Sequence, residues 1–168
     1  MNKNVDRVLI KSFSFPDPIT YIEHINDASL QAKFTEKLAV SRISAEDAQK
    51  LGKFLYDNKL KFVVFSASWC KDCQTVIPLL AKINQIAKMP MQLLGDVKVN
   101  LQKPPQWHSP PSPPEINELD VKKIPAILVL NKNSKEIVRM YEQPPEGKSL
   151  EKYLVTIIQE ALEDENLN

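Results

Sequence analysis

Cysteine and histidine are both scarce in this chain, with two of each among its 168 residues. The histidines, His24 and His108, lie far from each other and from the cysteines, so they lack the spacing of a zinc-finger ligand set. A zinc site within one chain is therefore disfavoured, although four thiolates shared across a dimer would still satisfy the metal. We expect no metal and no separate cofactor.

An excess of charge of either sign is also lacking. The chain has 22 lysines and arginines against 21 aspartates and glutamates, and its formal net charge is +1. Proteins that bind nucleic acids or anionic membranes usually carry a concentrated basic patch, and the charges here are scattered. We therefore expect neither a nucleic acid nor a membrane as a partner.

The chain contains no long apolar run. Its first 14 residues carry one short apolar triplet, Val8 to Ile10, which is too short for the core of a signal peptide. No segment approaches the ~20 apolar residues of a membrane-spanning helix. We expect a cytoplasmic protein, in a reducing compartment where paired cysteines are more often catalytic than structural.

Both cysteines, Cys70 and Cys73, belong to one C-x-x-C motif. Such a pair can be a structural disulfide, half of a metal site or a redox dithiol. A disulfide across so short a loop gains little stability from loop closure, and the ligands that would complete a zinc site are missing. The redox use, with a reversible Cys70–Cys73 disulfide, is favoured.

The apolar pattern divides the chain into a helical first part and an α/β second part. In residues 1–59 the spacing of apolar residues and the capping residues predict three helices, which begin near Asp17, Ser29 and Ser44. From residue 60 the pattern predicts strands at 62–65, 91–101, 126–130 and 137–141, and helices at 71–88, near 115 and at 149–162. We expect a helical extension, 1–59, that packs on the core as a cap or else presents a partner surface, and an α/β domain, 60–168.

The position of the motif at a helix start predicts different roles for its two thiols. Unpaired N–H groups and the helix dipole stabilise a thiolate on Cys70, which makes it the expected nucleophile. Cys73, one turn later, is expected to resolve the mixed disulfide that Cys70 forms with a substrate. Lys71 favours a nearby thiolate and Asp72 disfavours one, so they tune the pair in opposite directions and are compatible with either a reductant or an oxidant.

Three segments resemble the thioredoxin family. Val63 to Cys73 is similar to the family's first core strand and active-site motif, usually W-C-G-P-C. Pro78 falls where the family kinks its active-site helix, and Lys122 to Ala126 resembles the segment that carries a cis-proline. The resemblance implies a thioredoxin-like fold, with a central mixed β-sheet flanked by helices and a cis bond before Pro125.

The resemblance also implies an activity and a substrate surface. It implies a thiol-disulfide oxidoreductase, acting as a reductase on disulfide-containing protein or small-molecule clients and recharged by an upstream thiol reductant. Trp69, Ile124 and Pro125 would bind the substrate, with the backbone at Ile124 pairing with an extended chain. The competing interpretations are a thioredoxin-like adaptor with little redox turnover and a metal-binding protein.

Several residues depart from the family pattern. Val64 stands where a buried aspartate usually helps to deprotonate the resolving cysteine. Lys98 matches that aspartate's usual lysine partner, or else it is a solvated surface lysine. Lys71-Asp72 replaces Gly-Pro, and Glu142 to Pro145 replaces a groove glycine. We expect that Cys73 loses its proton through water or to another carboxylate, and that the groove accepts a narrower range of clients.

A proline-rich insertion covers residues 103–114. Its prolines exclude a regular helix or an inner strand and favour stiff, polyproline-like backbone. One interpretation is a surface loop without a role in the chemistry. The other places Trp107 and His108 near the active site, where they would select substrates.

Overall fold

A computed structural model describes residues 7–167 of the chain. It contains six helices and four strands. In chain order these are α1 (Pro18–Glu23), α2 (Ala28–Val40), α3 (Ala45–Asp57), β1 (Lys61–Phe65), α4 (Lys71–Ile86), β2 (Met91–Leu94), α5 (Glu115–Glu118), β3 (Ala126–Leu130), β4 (Glu136–Tyr141) and α6 (Leu150–Leu167).

The four strands form one mixed sheet in the order β2-β1-β3-β4. β1 pairs parallel with β2 and antiparallel with β3, and β3 and β4 form the predicted antiparallel hairpin. Every residue of β3 is buried, as are four of the five in β1, which explains their continuous apolar sequences. The expected fold class, a central mixed sheet flanked by helices, is confirmed.

α1 and α3 start at the predicted capping residues, whereas α2 is capped by Asp27 and begins one residue before the predicted start at Ser29. Asp17 accepts a hydrogen bond from the Thr20 N–H at 2.8 Å, and Ser44 accepts one from the Asp47 N–H at 3.2 Å. α1 and α2 pack against α4, while α3 packs against α4 and α6. The three helices thus bury apolar side chains in the core shared with the sheet, and a domain boundary at residue 59 stays a prediction.

The segment before α1 pairs with one edge of the sheet. Phe15 and Leu93 of β2 exchange two backbone hydrogen bonds, each 2.8 Å long. Near its start, the same segment contacts the β3–β4 turn, where the Val8 N–H donates to the Ser134 carbonyl at 2.8 Å. Residues 8–15 therefore run from the hairpin turn to the outer side of β2.

The prediction of a strand over 91–101 is wrong beyond Leu94. Asp96 has a φ of 59°, a left-handed conformation that takes the chain out of the sheet. Beyond it, the Asn100 N–H donates to the Gln106 carbonyl and the His108 N–H to the Lys98 carbonyl, each at 2.8 Å. The second half of the apolar run therefore pairs with the proline-rich insertion instead of with the sheet.

The C-terminal helix α6 is longer than predicted and ends at Leu167 rather than Leu162. Its buried residues include Leu154 and Ile158, which face the core. The buried carboxylate of Glu151 accepts a hydrogen bond from the Ser44 N–H at 3.0 Å and so joins α6 to the start of α3. No helix among residues 7–167 has both the length and the apolar composition needed to cross a membrane.

Candidate active site

Cys70 is the N-cap of α4, as its place after a buried strand predicts. Its Sγ accepts a hydrogen bond from the Cys73 N–H at 3.2 Å. The loop that leads from β1 to this point is held by Gln74, whose side chain donates to the Ser68 carbonyl at 2.9 Å. The first cysteine of the motif therefore sits where an N–H of the first turn and the helix dipole stabilise negative charge.

The Cys70 thiol is less accessible than a helix start suggests. Only 7% of the residue is exposed, so the thiol is buried even though it caps the helix. A hydrogen bond with the Cys73 side chain lowers the pKa of Cys70, while burial and the Asp72 carboxylate act to raise it. The net effect is a pKa below the ordinary value, which favours the reactive thiolate.

Cys73 is fully buried behind Cys70. Burial strongly raises the pKa of Cys73, and the neighbouring Cys70 raises it further. The Ala67 backbone and the Ser66 side chain act to lower this pKa but do not offset the burial. The two thiols thus differ as nucleophile and resolving group should, although both are free in this structure.

This asymmetry predicts the pH dependence of alkylation. Because the pKa of Cys70 is lowered, its reaction rate with iodoacetamide should rise with pH through an inflection below about 8.5, the value of an unperturbed thiol. Cys73 should stay unmodified in the folded protein. Mass spectrometry of the alkylated peptides at a series of pH values measures both.

The Asp72→Asn variant is the matched control for this measurement. It removes the carboxylate that raises the pKa of Cys70, so the inflection should move to lower pH. The asparagine oxygen can still accept the hydrogen bond that Asp72 receives from Gln143. An inflection at or above 8.5 in the wild type, or an upward shift in the variant, would contradict this account.

The segment expected to face the motif lies beside it. The Ile124–Pro125 peptide bond is cis, and the Ile124 carbonyl accepts a hydrogen bond from the Cys70 thiol at 3.7 Å. The Pro125 carbonyl is used within the fold, because it accepts the Glu142 N–H at 2.8 Å. Cys70, Ile124 and Pro125 therefore meet at one surface.

Trp69 forms the exposed rim of this surface. Its side chain is anchored through Nε1, which donates to the Val97 carbonyl at 2.9 Å. The residue remains 47% exposed, which is unusual for a tryptophan. An anchored but exposed aromatic ring next to Cys70 is suited to contact an apolar part of a substrate.

The two residues inside the motif differ in their surroundings. Lys71 is exposed, whereas the half-buried Asp72 accepts a hydrogen bond from the Gln143 side chain at 2.7 Å. Gln143 lies in the loop that replaces the expected groove glycine, next to Glu142, which forms an ion pair with Lys123 at 3.1 Å. The polar residues of this loop predict a more polar groove. The contact of Gln143 with Asp72 could not be predicted from neighbouring residues, because the two lie 71 residues apart in the sequence.

Two of the candidate site residues lie elsewhere. Trp107 is 3% exposed, and its Nε1 donates to the Val121 carbonyl at 2.7 Å, so the expectation that it contacts substrates is wrong. Pairing of the insertion with residues 98–100 turns this ring into the core. Lys98 is exposed, which agrees with the second of its two interpretations, a solvated surface lysine.

Two buried hydroxyl groups and a buried valine lie in or next to β1, the strand that leads to the motif. Val64, fully buried in β1, lies between Leu93 and Ile127 of the neighbouring strands. The buried hydroxyls of Tyr21 and Ser66 are joined by a hydrogen bond of 3.1 Å. Tyr21 lies 45 residues before Ser66 on a different element, so no spacing rule could have connected the two.

The described part of the chain brings together no group of three or more histidine, cysteine, aspartate or glutamate side chains able to hold a metal ion. The two cysteines themselves lie on one helical turn, with Cys70 as the cap of α4 beside the Ile124 carbonyl and Cys73 buried behind it.

Comparisons with known proteins agree with this arrangement. A family model described as Thioredoxin matches residues 16–101, while no curated protein sequence matches the chain. A structure from Pseudomonas aeruginosa, of a protein of unknown function, aligns over 92% of this chain and 93% of its own with a TM-score of 0.59 and 16% identity. An HIV epitope-scaffold aligns over 92% and 90% with a TM-score of 0.55 and 14% identity. At these identities the structural likeness shows the fold alone.

Proposed function

The chain belongs to the thioredoxin family, and from that premise we propose that it is a thiol-disulfide oxidoreductase that reduces disulfides with the Cys70 and Cys73 dithiol. The observation that carries this proposal is the difference between the two thiols. Cys70 caps a helix beside Ile124 and Pro125, and Cys73 is fully buried on the next turn.

The reaction has two exchange steps. The Cys70 thiolate attacks one sulfur of the client disulfide, the client S–S bond breaks, and one client sulfur leaves as a thiolate that takes a proton from water. Cys73 then loses its proton and attacks Cys70, which releases the second client sulfur. The client gains two electrons, and the protein is left with a Cys70–Cys73 disulfide that an external thiol reductant must reduce.

The surface around Cys70 supports binding of an extended client segment. The backbone of Ile124 lies beside the Cys70 sulfur, where a client chain can pair with it by strand addition. Trp69 supplies an exposed apolar ring at the rim. The Gln143–Asp72 contact and the Glu142–Lys123 ion pair put polar groups on the loop side, which favours a narrower range of clients than an open groove.

The proposed direction, as a reductase, is supported by membership of the thioredoxin family. Burial and the Asp72 carboxylate oppose the Cys70 thiolate, but the interaction with Cys73 outweighs them, so the pKa of Cys70 is lowered. Because a stabilised thiolate by itself favours the reduced dithiol, the direction is tested by titrating the Cys70–Cys73 couple against glutathione, where a reductase should have the lower reduction potential. Protein disulfides are the substrates that we propose.

A disulfide-reduction assay tests the function. In the presence of dithiothreitol, the wild-type protein should accelerate the reduction of insulin, which is followed by precipitation of the free B chain. The matched control is the same protein with both thiols alkylated. Alkylation is carried out under reducing, partly denaturing conditions, and circular dichroism verifies that the alkylated protein has refolded. Equal rates for the untreated and the alkylated protein would exclude a dithiol enzyme.

A further inference from the structure

A groove between helices α2 and α4 lies beside the C-x-x-C motif. Its volume is about 550 Å³. The residues that line it are Lys33, Glu36, Lys37 and Val40 of α2 and Lys71, Gln74 and Thr75 of α4. Because Lys71 directly follows Cys70 in the sequence, one end of this α2–α4 groove reaches the N-cap of α4.

The spacing of residues on the two helices produces this groove. Lys33, Lys37 and Val40 follow one another at intervals of four and three residues, so they lie on one side of α2. Lys71 and Thr75 are four residues apart and share one side of α4 in the same way. Since α2 packs against α4, these two sides form the walls of the groove.

The α2–α4 groove carries an excess of positive charge. Its three lysines are all exposed, and none of them forms an ion pair within residues 7–167. The acidic residue among those that line it is Glu36, which is also exposed. The single acidic residue of α4, Asp72, is hydrogen-bonded to Gln143 of another loop. Because the net charge of the whole chain is only +1, the excess is local to this surface.

The two lysines on α2 do not help the helix to form. Lys33 and Lys37 are like charges one turn apart, and such pairs destabilise a helix. Lys37 lies in the last turn, where the helix dipole favours a cation, but Lys33 lies near the middle and gains nothing from the dipole. An anion that binds between the two lysines would remove their repulsion.

The remaining groups of the groove suit a peptide better than a small inorganic anion. Thr75 is half-buried and supplies a hydroxyl that can donate to a carboxylate or a peptide carbonyl. On the opposite wall Val40 is 66% exposed, a large exposed fraction for an apolar residue. Cations, a hydroxyl and an apolar side chain together match a segment that carries both acidic and apolar residues.

We propose that the α2–α4 groove binds an acidic segment of the client protein, next to the disulfide that Cys70 attacks. This rests on the proposed function, because it names the class of client that the dithiol reduces. Carboxylates of the client pair with the three lysines while its cysteine lies against Cys70. The groove takes part in no bond exchange, and it acts by speeding the encounter with clients of complementary charge.

Two peptides with the same intramolecular disulfide test this preference. In one peptide the disulfide is flanked by glutamates, and in the other by the same number of glutamines. Reduced protein is mixed with each peptide at low ionic strength, samples are quenched in acid, and chromatography measures the reduced peptide. Each rate constant is divided by that of dithiothreitol with the same peptide, which corrects for the intrinsic reactivity of the disulfide. We expect the corrected rate of the wild type to be about tenfold higher for the acidic peptide.

A double variant removes the charges of the α2 wall. In Lys33→Gln/Lys37→Gln the ratio of the corrected rates, acidic over neutral, should fall towards equality. The matched control is Lys50→Gln/Lys152→Gln, which removes the same charge from exposed positions on α3 and α6. Neither of these lysines lines the groove, so the control should keep the wild-type ratio. In about 1 M salt, where the Debye length is about 3 Å, the wild-type ratio should also decrease.

The outcomes are distinct. A preference for the acidic peptide that the α2 variant loses and the control keeps supports the proposal. Equal corrected rates in the wild type, a preference that survives in the α2 variant, or one that the control loses equally overturns it, while the proposed function stands. A wild-type protein that reduces neither peptide overturns the proposed function, and the role of the groove with it.

Discussion

Replacement of Cys70 by serine is expected to lower the rate of disulfide reduction by about a thousandfold or more, which is the scale for loss of a nucleophile. The thiolate is the attacking species, and a serine hydroxyl stays protonated at neutral pH. The fold should tolerate the change, because a serine is a good N-cap and can accept the same Cys73 N–H. The insulin assay measures the rate, and thermal unfolding measures the stability.

The Cys73→Ser variant fails at a different step. The start of helix α4 still lowers the pKa of Cys70, so Cys70 can still attack a client. The variant has no second thiol to resolve the mixed disulfide that forms. The variant should therefore accumulate as a mixed disulfide with the client, visible by mass spectrometry as a mass increase that dithiothreitol removes. The same adduct should be missing from Cys70→Ser.

Ser68→Ala is the matched control, since Ser68 lies in the loop before Cys70 and its hydroxyl makes no hydrogen bond within residues 7–167. Its rate should stay within about twofold of the wild type. Wild-type activity in Cys70→Ser would contradict the assignment of the nucleophile. An adduct on Cys73 in the Cys70→Ser variant would reverse the two roles.

Trp107→Ala is expected to lower the free energy of unfolding by about 3–5 kcal/mol. The ring is 3% exposed, so its removal leaves a large cavity, and it also leaves the Val121 carbonyl without its donor. The bond from the Asn117 side chain to the Trp107 carbonyl, 3.0 Å long, should be weakened as the segment moves. Urea unfolding measures the change in free energy.

The second tryptophan provides the matched control. Trp69→Ala removes a side chain of the same size that is 47% exposed, so its effect on the free energy of unfolding should stay below about 2 kcal/mol. The rate of client reduction should instead fall more in Trp69→Ala than in Trp107→Ala, because only Trp69 lies at the rim of the active site. Equal losses of stability in the two variants would contradict the view of Trp107 as a core residue.

Local sequence signals predicted the elements that carry the cysteines. The buried strand before the motif and the capping role of Cys70 both follow from adjacent residues. The N-terminal caps at Asp17 and Ser44 were predicted for the same reason. In each case the interaction joins groups within a few residues of each other, where spacing determines geometry.

The failures involve contacts between residues distant in sequence or a change of backbone direction. The apolar run after Met91 reads as one strand, but the left-handed backbone at Asp96 divides it, and nothing in an aspartate requires that conformation. Trp107 is surrounded by prolines and polar residues that indicate a surface loop, yet its ring is buried through pairing with an earlier segment. The Tyr21–Ser66 pair depends on how α1 packs, which no periodicity encodes.

The pairing of Phe15 with Leu93 determines where another chain can join the sheet. β2 is an outer strand, and unpaired outer strands are templates for aggregation and for uncontrolled strand addition. With two backbone hydrogen bonds already made at its centre, β2 offers an incoming peptide no uninterrupted ladder. That edge is thereby closed to continuous strand addition, and in the proposed function a client chain pairs instead with the backbone at Ile124, beside Cys70.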